Sequence, residues 1–191
     1  MPEIVQQPKA VLRQMALEVP VDSITTPKIK KILKDMSKAL ASQDDGVAIA
    51  APQIGYSLRI FLVSGRVFNK EFIENRTDRR EGKTKEVLKV EKTKDRVFIN
   101  PILSKLSRDK EWMPEGCLSV RWLYGKVNRS KKAFVEAYDE NGKKFKLGGA
   151  DLLAQIFQHE TDHLNGILFH DTAKDLREEL PESKTETNQE K

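Results

Sequence analysis

The segment Gln158-His159-Glu160-Thr161-Asp162-His163 places two imidazoles four residues apart, with a carboxylate directly after the first. On a helix, residues i and i+4 lie on one face, so both rings can reach a single metal ion. The carboxylate then sits where it can take a proton from a water held by that ion. The flanking residues support a helix. Leu152, Leu153, Ile156, Phe157 and Leu164 recur at helical spacing, Asp151 is a candidate cap after Gly148-Gly149, and Asn165-Gly166 is a stop signal. The spacing predicts a helix over about 152–165 with a broad apolar surface, hence buried.

Two histidines do not complete a catalytic metal site, which needs a third protein donor and one open position. Three candidates stand in the chain. His170 falls one residue later than the pattern H-E-x-x-H-x-x-G-x-x-H requires, position 169 being Phe, and no Met lies downstream. Glu178 and Glu179 are acidic, but they open a polar stretch with little chain left to build a second helix. Cys117, the single cysteine, can supply a thiolate, a strong donor to zinc or ferrous iron that the ion would hold deprotonated. One cysteine also excludes an intramolecular disulfide and fits a reducing compartment.

The elements that must position these groups are legible in part. Thr26-Pro27 opens a helix in which Ile29, Ile32, Leu33, Met36, Ala39 and Leu40 follow a 3.6-residue period to about Gln43. The small-residue run from Gly46 to Gly55 reads as a buried strand followed by a Pro-containing turn, or as a close backbone approach to a ligand. Leu58 to Val63 is rich in branched and aromatic residues and reads as a strand. Val97-Phe98-Ile99 resumes the core before a turn at Asn100-Pro101. Ala133 to Tyr138 and Lys143 to Leu147 form a hairpin around Asp139-Glu140-Asn141-Gly142. The fold class expected is α+β: small antiparallel sheets packed around a central buried helix that carries H-E-x-x-H.

Composition adds boundaries. At 191 residues, one domain over 1–173 is expected. Only 38% of residues are hydrophobic and 33% are charged, so part of the chain is expected to be solvated appendage. Two stretches fit that description: a charged insertion at about 66–96, expected as a mobile hairpin or loop, and a polar, disordered tail over 174–191. The net charge of +5 has two readings, affinity for RNA, ribosomes or anionic surfaces, and plain solvation of Lys-rich faces. No apolar run approaches a membrane span and no signal sequence is evident, so a cytoplasmic protein with no membrane partner is expected.

Three segments together resemble peptide deformylases. Gly46-Val47-Ala48-Ile49-Ala50-Ala51-Pro52-Gln53-Ile54-Gly55 resembles the family's G-V-G-[LI]-A-A-P-Q-[IV]-G. Glu115-Gly116-Cys117-Leu118-Ser119 resembles its E-G-C-[LV]-S, and Gln158 to Gly166 its Q-H-E-x-D-H-L-x-G. The resemblance implies removal of the N-formyl group from the initiating formyl-methionine of nascent polypeptides, with release of formate. It implies Cys117, His159 and His163 as ligands of one divalent ion, Fe²⁺ in the cell with Zn²⁺ or Ni²⁺ as substitutes. It also implies Glu160 as general base and acid acting on a metal-activated water, and the Leu118 N–H and the Gln53 amide as oxyanion donors. The methionine side chain needs an apolar pocket beside the ion: Leu152 and Ile156, seven and three before His159, share its helix face, and the resemblance adds Gly46, Val47 and Met113, with Glu115 as a brace.

The implied partners are formylated nascent peptides, and the ribosome near its exit tunnel through the basic surface, with no sequence-specific nucleic acid. Three departures bear on substrate preference: Ala48 where the family has a second glycine, Gln155 where apolar residues are common, and Arg121-Trp122-Leu123-Tyr124 after the cysteine motif. Two other readings compete: an H-E-x-x-H zinc endopeptidase, and a non-catalytic deformylase-like ribosome-binding protein.

Overall fold

The computed structural model of the chain describes residues 2–80 and 93–180. Among the described residues three α-helices, α1 (Pro27–Ala41), α2 (Lys70–Arg80) and α3 (Asp151–Leu164), accompany eight strands. The strands are β1 (Ala48–Ala50), β2 (Ile60–Val63), β3 (Arg96–Ser104), β4 (Lys110–Cys117), β5 (Val120–Ser130), β6 (Lys132–Tyr138), β7 (Lys144–Ala150) and β8 (Lys174–Glu178). They make two antiparallel sheets, one in the order β1-β2-β3-β6-β7 and one in the order β4-β5-β8.

The larger sheet lies between α1 and α3, which explains why β1 and β2 read as continuous apolar runs. Successive residues alternate faces. Ile49, Ile60, Leu62 and Ile99 pack with Ile29, Ile32, Leu33, Met36 and Leu40 of α1. Ala48, Ala50, Phe61, Val63 and Phe98 pack with Ala154, Ile156, Phe157 and Leu164 of α3. The second layer is centred on aromatic contacts: Phe61 and Phe98 stack at 4.6 Å, and Phe157 lies 5.5 Å from Phe98 and 6.5 Å from Phe61. Burying rings of this size dominates the energetics of such a layer.

The structure departs from the expected elements in three places. First, Lys70–Arg80 is a helix, not a loop. Asn69 Oδ1 accepts from the Phe72 N–H at 3.1 Å, which caps the first turn, and Phe72 packs on the core. Residues 81–92 of the expected insertion lie outside the described residues. Second, Asn100-Pro101 is a bulge inside β3, with a register shift between Ile99 and Ile102. Asn100 tolerates φ 49° because its side chain acts as a strand edge, bonding Val19 through both its oxygen and its nitrogen. Third, the chain from Lys174 to Glu178 is not tail but an edge strand on β5, pairing Leu123 with Glu178 and Tyr124 with Arg177. Exposed charged side chains are what an edge strand carries to resist further pairing. Residues 181–191 of the expected tail lie outside the described residues.

Candidate metal centre and its cavity

α3 puts His159 and His163 on one face, with ring centroids 5.0 Å apart. The hairpin of β4 and β5 delivers Cys117 from the other side, where its Sγ lies 3.1 Å from His163 Nε2. Among the described residues these three offer donor atoms all within 4.8 Å of one another. The β4 strand ends at Cys117 and β5 begins at Val120, so a tight turn presents the sulfur. That turn is held from outside by the N-terminal segment. Gln6 Nε2 donates to the Leu118 carbonyl at 2.8 Å, and the Gln7 N–H donates to the Ser119 carbonyl at 3.0 Å.

His159 is oriented by a neighbour, whereas His163 Nδ1 is buried with no hydrogen-bond partner among the described residues. His159 Nδ1 lies 2.9 Å from Glu115 Oε2, which fixes its proton there and leaves Nε2 as the donor atom. Glu115 is itself held by Arg129, whose Nε and a terminal nitrogen reach the two carboxylate oxygens at 2.8 and 3.1 Å. Arg129 also reaches Asp162 at 2.6 Å. Burial pushes the Glu115 carboxyl up, yet the bonds from His159 and Arg129 outweigh it and hold it at about 2. Burial likewise pushes the Cys117 thiol up, but His163 and His159 bring it down to about 5. The two imidazoles thus favour the thiolate, which is the form that binds a metal.

Glu160 behaves in the opposite way. It is 4% exposed, and its Oε2 is sealed with no hydrogen-bond partner among the described residues. Burial pushes its carboxyl up to about 7, against the pull of the two histidines. A carboxyl near 7 beside three metal donors is poised to exchange a proton at neutral pH.

A cavity of about 90 Å³ opens beside these groups. Gly46, Val47, Leu118, Leu152, Ile156, Cys117, His159 and Glu160 line it. Met113 does not line it, which corrects the expectation that it would. Met113 shares the buried strand face of Glu115 and Cys117 but lies four residues from Cys117, about 13 Å along a strand. Gln53 and His163 stand behind the cavity wall. Gln53 Nε2 donates to Ser119 Oγ at 3.2 Å and to Cys117 Sγ at 3.5 Å, while its Oε1 accepts from the Ala50 N–H at 2.8 Å. The Leu118 N–H donates to no group among the described residues.

Arg129 and Asp162 were not singled out from the sequence, because nothing local ties them to Glu115. The mouth of the cavity adds Asp45, Arg76, Arg121, Trp122 and Tyr124. Arg121 grips Asp45 at 2.7 and 3.2 Å and Gln43 Oε1 at 2.7 Å. The unusual composition of residues 121–124 was the available signal. Ala48 has an ordinary extended backbone in β1, so the methyl that replaces the family's glycine carries no conformational penalty.

Two imidazoles, one thiolate and an unpaired buried carboxylate beside the cavity make a candidate centre for one divalent ion. Residues 1–179 match the family model for polypeptide deformylase, and the chain belongs to that family. It is 34% identical over 175 residues to a peptide deformylase of Syntrophomonas wolfei, covering 92% of this chain and 95% of that protein. It is 36% identical over 173 residues to the chloroplastic and mitochondrial peptide deformylase 1A of Arabidopsis thaliana, spanning 90% of this chain but 61% of that protein. Among solved structures it resembles the Met-Ala-Ser-bound peptide deformylase of Acinetobacter baumannii, with a TM-score of 0.71 at 26% identity. That match covers 88% of this chain and 95% of that one.

Proposed function

We propose that this chain removes the N-formyl group from formyl-methionine at the start of nascent polypeptides and releases formate. The observation that carries the reading is Glu160: a sealed, unpaired carboxyl beside Cys117, His159 and His163 and facing an apolar cavity. The donor set fits a divalent ion, since one thiolate and two imidazoles suit ferrous iron, zinc and nickel alike. In this reading Fe²⁺ is the ion held in the cell, with Zn²⁺ or Ni²⁺ able to replace it. When bound, the ion supplies a Lewis acid for the formyl oxygen and lowers the pKa of the attacking water.

The chain's own residues do the rest. Glu160 takes the water's proton and returns it to the leaving amine, a transfer suited to a carboxyl near 7. The free Leu118 N–H donates to the developing oxyanion. Gln53 joins it by exchanging its long 3.5 Å contact with Cys117 Sγ. Leu152, Ile156 and Val47 surround the methionine side chain and exclude water from it. Helix α3 is thus the element on which the catalysis rests. Substrates of this kind arise at ribosomes in the cytoplasm, and the chain's surplus of +5 suits a surface that meets the ribosome's RNA.

The test compares formyl-Met-Ala-Ser, acetyl-Met-Ala-Ser and unmodified Met-Ala-Ser with the Fe²⁺- or Ni²⁺-loaded protein. Formate from the first alone supports the reading. Cleavage of a peptide bond in the third would point to an endopeptidase instead.

A further inference from the structure

Gln155 stands one turn before His159 on α3 and lines the cavity with Leu152 and Ile156. Its side chain is buried, 5% exposed. Nε2 donates to the Pro114 carbonyl at 2.9 Å and to Glu115 Oε1 at 3.3 Å. Both partners are acceptors, so these bonds use both amide hydrogens and settle which end of the amide is nitrogen. Oε1 is left as an acceptor on the far side. It receives no hydrogen bond among the described residues, yet it is not one of the sealed polar atoms, so it is reached from the cavity. Val47, Leu118, Val120, Leu152 and Ile156 give the same cavity its apolar lining, while Asp45, Arg76, Arg121 and Tyr124 line it as well.

An acceptor in such a wall is hydrated when the cavity is empty. A purely aliphatic side chain displaces that water and leaves Oε1 unpaired, whereas a side chain ending in O–H or N–H replaces the bond. The anchoring of Nε2 by Pro114 and Glu115 stops the amide from turning its nitrogen into the cavity to escape the mismatch. We propose that Gln155 is a specificity-determining residue that tunes the cavity toward N-formyl peptides whose first side chain ends in a hydrogen-bond donor, relative to isosteric aliphatic ones. The substrate class rests on the deformylase reading. Formyl-methionine stays a substrate, and the mismatch raises KM rather than slowing the chemical step, because the lost bond is absent in ground and transition states alike.

The test is a binding measurement that needs no turnover. Three hydroxamate-terminated pseudopeptides differ only in the first side chain: butyl, methylthioethyl and hydroxypropyl, the last isosteric with butyl. Their dissociation constants for the zinc-loaded protein are measured by calorimetry, with wild type and with Gln155→Leu. The wild type is expected to bind the hydroxypropyl compound at least as tightly as the butyl compound. Gln155→Leu is expected to prefer butyl by about tenfold or more, as a wall with no acceptor must. If Gln155→Leu fails to fold, the wild-type order alone decides. A wild type that prefers butyl by about tenfold, or a ratio unchanged by Gln155→Leu, overturns the proposal even if formate is released from formyl-methionine peptides. If none of the three compounds binds, this proposal and the deformylase reading both fall.

Discussion

Glu115 Oε2 lies 2.9 Å from His159 Nδ1, and the same carboxylate is clamped by Arg129 at 2.8 and 3.1 Å. The bond decides which imidazole nitrogen faces the metal, and the clamp prevents the carboxylate from turning away. Partners of this kind typically contribute about 10–100-fold in metal affinity or activity. Glu115→Ala should therefore weaken zinc binding by about that factor, read by competition with a chromophoric chelator. Its thermal midpoint should also fall, because among the described residues buried Arg129 keeps only Asp162 as an acidic partner.

Glu160 makes a prediction about the metal-free protein. Its folded pKa, about 7, lies above its ordinary value of 4.5. The folded state thus binds this proton more tightly than the unfolded state does. The stability it contributes is fully present below 4.5 and is lost as pH rises through about 7. Glu160→Gln removes the ionisation. It should be more stable than wild type at pH above about 8, by roughly 3 kcal/mol, with the gap narrowing as pH falls toward the unfolded value. Urea unfolding of the two metal-free proteins across this range checks the sign.

Cys117 titrates the other way. His163 and His159 bring its thiol from 9.0 down to about 5 despite burial. The ultraviolet absorbance of the thiolate in the metal-free protein should be present at neutral pH and disappear as pH falls through about 5. Persistence of a protonated thiol at neutral pH would contradict the electrostatics described for the site.

Phe157 joins fold to site, since its ring packs on Phe61 and Phe98 two residues before His159. Phe157→Ala should cost about 3–5 kcal/mol, the range for removing a buried aromatic ring. Ala48→Gly, by contrast, should leave kcat/KM within the scatter of wild type. The backbone at 48 is ordinary β-strand, and the change costs only about 0.5–1 kcal/mol of stability.

What could be read from the sequence follows from how local each signal is. The helix carrying His159 and His163 announces itself within fourteen residues by period and stop signal, and it spans Asp151–Leu164. Its cap was less legible: Asp151 adopts φ 48° and makes no capping bond through its side chain. The bond between Glu115 and Arg129 depends on the fold of the β4–β5 hairpin, in which Glu115 faces Gly125 and Arg129 faces Glu111. No local pattern encodes that meeting. Helix α2 was hidden by charge, since only Phe72 and Ile73 mark an apolar side, although Asn69 three residues before Phe72 is a capping signal. Strand β8 was hidden for the same reason, with Leu176 as its single apolar residue against Gly125. Met113 came from the family resemblance, and a resemblance in sequence gives a residue's neighbours along the chain but not its distance from the cavity.

In the proposed reaction Glu160 moves the proton while Cys117, His159 and His163 hold the ion. The measurement that tests it most directly is formate release from formyl-Met-Ala-Ser by wild type and Glu160→Gln, both adjusted to one Ni²⁺ per chain. Formate is expected from the wild type, with a loss of about 100-fold or more in Glu160→Gln at equal metal content, as removal of a general base requires. Equal rates from the two metal-loaded proteins would contradict that role for Glu160.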